Sequence, residues 1–130
     1  MTFFDFSTWK VLLAVVAYVI IGMLWYMPQV FGKSWLAALG KKQMNKQGTS
    51  ILISVLSTIV IVLVLTYFAH LTGVPTVARG AYLGAKVWLG FVATTGLITS
   101  VFEGGSLQVL SIDLGYHLVG LVAAGIILAS

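Results

Sequence analysis

The chain has 130 residues, 60% of them hydrophobic and only 8% charged, with a mean hydropathy of +1.09. A water-soluble domain carries about 25% charged residues to cover its surface, so lipid must surround most of this chain. The absence of cysteine excludes disulfides, thiolate chemistry and cysteine-ligated zinc or iron–sulfur centres. Seven Lys and Arg against three acids give a net charge of +4, which on a membrane protein is first an orientation signal. Nothing in this balance points to nucleic acid.

The opening MTFFDFSTWK lacks the basic region of a secretory signal, and no small-residue cleavage pattern comes after it. The first apolar run, Val11 to Met27, is therefore expected to be a retained span. There are three more: Ile51 to Leu71, Ala81 to Phe102 and Leu107 to Ala129. At 1.5 Å per residue, runs of about 17 to 23 residues cross a hydrocarbon layer of about 30 Å with modest tilt. Backbone groups in lipid must be satisfied within their own segment, so helices are expected. The predicted fold is all-α, one transmembrane domain over residues 1–130 built as a four-helix bundle, with a short interfacial helix between helices one and two.

The connections differ in kind. In the first, Phe31, Trp35 and Leu39 recur every four residues while Lys33, Lys41 and Lys42 fall elsewhere, the pattern of a short amphipathic helix in the headgroup layer. Gly40 is placed to end it. Phe31, Lys33, Trp35, Lys41 and Lys42 are the expected lipid-headgroup contacts. With Lys46, this connection holds four lysines, and the positive-inside rule puts it in the cytoplasm and both termini outside. Lys10, Arg79 and Lys86 weigh on the other side. The second connection is a turn around Pro75, and the third, EGGS, is so short that helices three and four must be antiparallel neighbours.

One polar pair interrupts the last run. Asp113, His117, Gly120 and Ala124 have the spacing of a single helix face, and small residues on that face direct it at protein. Counting from the EGGS turn places Asp113 about 10 Å and His117 about 15 Å below the inner surface. An aspartate there costs at least about 2.5–3.5 kcal/mol if charged, a cost removed if it is neutral or shares a proton with His117 one turn on. Thr95 lies at the same level, with Thr99 and Ser57 nearby. One expectation is a lock in which Asp113 hydrogen-bonds Thr95, Thr99 or Ser57. The alternative is a proton relay or a grip on a small polar ligand.

Other polar residues carry less. Lys86 can snorkel to the outer interface, with Asp5 as its reachable partner. A haem held by His70 and His117 is disfavoured by their different depths, and no metal site or cofactor is expected. Trp9, Trp25, Tyr26 and Trp35 read as aromatic belt residues. Gly80 and Gly84 form a helix-packing GxxxG, and Gly84, Gly120 and Ala124 offer surfaces to further helices.

Tyr26, Pro28, Phe31, Gly32, Lys33 and Trp35 after the first span, Phe102 and Glu103 at the third turn, and Gly115, Tyr116 and His117 on the last span resemble a bacterial membrane family, domain of unknown function 1761. The resemblance covers nearly the whole chain and implies a small four-helix inner-membrane architecture, but no activity. The expected role is a non-enzymatic inner-membrane protein whose partners are lipids and other membrane helices, as a homo-oligomer or accessory subunit. The alternative is a transporter or channel for protons or a small polar solute, using Asp113 and His117.

Overall fold

In the computed structural model, residues 8–41 and 48–130 are described; Asp5, Lys42 and Lys46 lie outside them. All regular structure among the described residues is helical: α1 (Thr8–Trp25), α2 (Lys33–Leu39), α3 (Gly48–Thr72), α4 (Val77–Val87), α5 (Thr94–Glu103) and α6 (Leu107–Ala129). Two π-helical stretches, Pro28–Gly32 and Trp88–Ala93, join α1 to α2 and α4 to α5. Because α4 and α5 run on as one helix, four helices of 18, 25, 27 and 23 residues are long and apolar enough to cross a membrane.

Local chemistry sets the helix ends. Pro28 disfavours helical backbone in the residue before it, and Met27 is extended (φ −65°, ψ 145°), so α1 stops at Trp25, short of the expected Met27. The Thr76 hydroxyl accepts from the Arg79 N–H at 3.1 Å and starts α4 four residues before the expected Ala81. Ser106 caps α6 in the same way, accepting from the N–H groups of Gln108 and Val109. Gly40 and Gly104, both left-handed (φ 73° and 68°), close α2 and α5.

The central element is α6, which packs most extensively on α4 and on α1, with α3 covering a third side more loosely. Glycines bring α4 and α6 into backbone contact. A methyl group on Gly80 would overlap the Gly125 carbonyl, one on Gly84 the Leu121 carbonyl, and one on Gly125 the Gly80 carbonyl. This close approach is how small residues join helices where lipid leaves little hydrophobic drive between them. Gly84, Gly120 and Ala124 are all buried, so they seat helices of this chain instead of offering surface to others.

The π-helical stretch between α4 and α5 turns the later part of that span about its own axis. In a regular α-helix Thr95 would continue the Gly80, Gly84, Trp88 face, eleven residues beyond Gly84. A π turn takes up one extra residue and passes that place to Gly96, which lies against Leu114 and Leu110. Thr95 and Thr99 are turned outward and exposed.

Candidate functional site

Asp113 and His117 are held by α1 and the first connection, not by the hydroxyls of helix three. Asp113 Oδ1 accepts from the Tyr26 hydroxyl at 2.5 Å and from the Trp35 indole N–H at 2.9 Å. His117 Nδ1 and the Tyr18 hydroxyl are 2.7 Å apart. The expected bonds from Asp113 to Thr95, Thr99 or Ser57 are therefore corrected. Ser57, like both threonines, is exposed, and the π-helical rotation is why the threonines turn away. Lys86 is exposed too, its ammonium 4.6 Å from the Tyr82 ring centre.

Three aromatic rings at this site, those of Tyr18, Tyr116 and Trp25, each sit on a glycine of the facing helix. A methyl at Gly120 would meet the Tyr18 ring at 2.7–2.9 Å, one at Gly22 the Tyr116 hydroxyl at 2.8 Å, and one at Gly115 the Trp25 ring at 2.9 Å. The pairs step in opposite directions along α1 and α6, so the helices are antiparallel with rings and gaps alternating between them. Tyr18, a large side chain, is thereby only 1% exposed.

Indoles clamp the backbone of α6 as well. Trp25 Nε1 donates to the Ile112 carbonyl at 2.9 Å from the α1 side, and Trp88 Nε1 to the Leu114 carbonyl at 2.8 Å from the α4 side. A helical carbonyl has a second lone pair for such a bond. The rings of Trp35, Tyr26, Tyr116 and Tyr18 form a chain of edge-to-face contacts with centres 5.2–5.7 Å apart; such pairs are worth about 0.5–1.5 kcal/mol each beyond area burial.

The first connection is a cap. Pro28–Gly32 makes one wide turn, in which the Gly32 N–H donates to the Met27 carbonyl five residues back at 3.0 Å. A side chain at Gly32 would overlap the Tyr26 carbonyl. Its φ of −59° is ordinary, so glycine is needed here for space, not for backbone freedom. The cap carries Trp35 onto α6, half-buried, whereas Phe31, Lys33 and Lys41 are exposed and the Phe31 ring lies tilted at 37° against Trp25 with centres 4.7 Å apart. Trp25, Tyr26 and Trp35 are thus hydrogen-bonded to α6 and are not simple belt residues. Burial first, and then the Asp113 hydrogen bond, raise the Tyr26 phenol above its usual range, so it keeps its proton and donates.

Among the described residues, no buried side-chain nitrogen or oxygen lacks a hydrogen-bond partner, and no three His, Asp or Glu side chains gather as a metal-ligating group. Away from the cap the core is largely apolar: Ala14, Val62, Leu65, Leu121, Ala124 and Leu128 are at most 1% exposed, and the hydroxyls of the buried Thr58 and Thr66 are spent on their own helix, donating to the Ser54 and Val62 carbonyls at 2.9 and 2.7 Å. The site therefore joins three segments at one end of the molecule, and its polar groups reach inward only as far as Tyr18 and His117.

These features define a small helical protein of membrane-spanning type, with a capped polar cluster on its last helix. The chain belongs to the family described as Protein of unknown function (DUF1761), which matches residues 9–129. No curated protein and no solved structure matches it significantly.

Proposed function

We propose that this chain is a non-enzymatic integral membrane protein of the bacterial inner membrane, a four-helix bundle acting as a homo-oligomer or as an accessory subunit of a larger membrane complex. The observation that carries this reading is the outer face of α5. No residue of α5 is buried, and Thr95 and Thr99 stand exposed one turn apart beside Ile98, 61% exposed, and Phe102, 87% exposed. Small hydroxyl residues four apart at membrane depth are typical of helix–helix contacts in lipid. The exposed Lys33 and Lys41 support a cytoplasmic first connection and outward termini. On this reading the Asp113 cluster is a lock that holds the cap to α6.

Native size in mild detergent tests the proposal. The expected result is a species larger than one chain, reduced towards a monomer by Thr95→Leu with Thr99→Leu. A strict monomer with nothing co-purifying would overturn it.

The rival reading is a conduit for protons or a small polar solute. It draws support from the run of Trp35, Tyr26, Asp113, His117 and Tyr18 into the molecule. The apolar filling beyond Tyr18 opposes it. It requires Asp113→Asn to abolish flux in liposomes while the protein still folds, and unchanged flux removes it.

A further inference from the structure

Beside the polar cluster lies a cavity of about 550 Å³, within the range of about 300–1,000 Å³ usual for small-molecule sites. It separates the C-terminal half of α1 from the first turns of α3, and Tyr116 of α6 forms its floor. Val19, Met23 and Val55 make an apolar wall, and Ser50, Ser54 and Tyr26 add the polar groups. From Val19 to Tyr26 the slot runs about 10 Å along α1. Met27 and Pro28, the start of the cap, line it as well. The Tyr116 hydroxyl is turned to the Tyr18 carbonyl, 3.5 Å away, so the floor presents mainly the ring.

We infer that this slot holds one acyl chain of an anionic phospholipid. An apolar slot between two helices exposed to lipid is filled from the lipid phase, since water in it would find few partners. The serines on the first turns of α3 offer hydroxyl donors to the ester carbonyls of such a lipid. The connection that lines the slot with Met27 and Pro28 also carries the exposed Lys33 and Lys41, a complement for a phosphate at headgroup level. Gly22 also lines the slot, and its missing side chain admits Tyr116 as the floor.

The test is photolabelling of the full chain in phosphatidylcholine vesicles containing a minority of phosphatidylglycerol with a photoreactive group in one acyl chain. Label is expected on residues 19–27 and 50–55 above the other apolar faces. Ser54→Trp, which fills the slot, is expected to lower labelling there about tenfold, the change that about 1.4 kcal/mol produces. Val55→Phe, a smaller filling, is expected to lower it less, and Leu56→Trp, on the exposed side of α3 (52% exposed), not at all. Label spread evenly over all exposed faces, or equal labelling of Ser54→Trp and Leu56→Trp, would overturn the site. Moving the photoreactive group to phosphatidylcholine should weaken labelling; no change would overturn the anionic preference. The inference rests on the membrane reading, and the two fail differently: a chain that does not enter vesicles takes no label anywhere.

Discussion

Asp113 accepts from Tyr26 and Trp35 through the same carboxyl oxygen, so the shape of that acceptor can be separated from its charge. Asp113→Ala leaves the Tyr26 hydroxyl and the Trp35 indole without an acceptor and should cost about 1–3 kcal/mol. Asp113→Asn keeps an oxygen in place and should lose less than half of that. Denaturation in mixed micelles, read by tryptophan fluorescence, measures both; equal losses would mean that the charge, not the bonding, holds the cap. Gly120→Ala drives a methyl into the Tyr18 ring and should destabilise by about 1–3 kcal/mol through overpacking. Asp113 itself was visible in the sequence because an acid in an apolar run stands out. Its partners were not, since Tyr26 and Trp35 lie at the end of a span, where aromatic residues are expected on interfacial grounds alone. Of the glycines that seat the neighbouring rings of Tyr116, Trp25 and Tyr18, at 22, 115 and 120, only Gly120 reads as a helix-contact residue in the sequence, and it does not say that a ring fills the gap.

The elements divide in the same way. Four long apolar runs and the tight EGGS turn are legible, because lipid requires helices of that length and a short turn leaves no other neighbour for the next helix. The rotation between α4 and α5 is not, because nothing in WLGFVA marks a π-helical stretch. Deleting one residue within 88–93 should remove that extra residue and restore regular winding, leaving Gly96, not Thr95, against α6. With no native cysteine, a Gly96→Cys, Leu114→Cys pair should crosslink in the parent and in the deletion variant alike, and a Thr95→Cys, Leu114→Cys pair in neither; crosslinking through residue 95 in the deletion variant would mean that the stretch takes up no extra residue. Gly84→Val tests the other half of that helix. Its side chain would collide with the Leu121 carbonyl, so the cost should be about 3 kcal/mol, the upper end for overpacking, because the obstacle is backbone. Loss of thermal stability in detergent measures it.

At the scale of the molecule, the helices reserve their small residues for one another and leave α5 to face outward. If α5 is the association face, Phe102→Ala should shift the assembly towards monomer in sedimentation without changing helix content, whereas Val119→Ala, on α6, should not. The polar lock has a further consequence, in time. Tyr26 and Trp35 meet Asp113 across 87 and 78 residues of sequence, and Tyr18 meets His117 across 99. At about 5–20 residues per second of synthesis, the cap waits roughly 4–17 seconds for its acceptor. During that interval the first span has neither its glycine seats nor its carboxyl partner, so any factor that guards a half-made chain has its longest opportunity there. The last helix to be made is the one that completes the first.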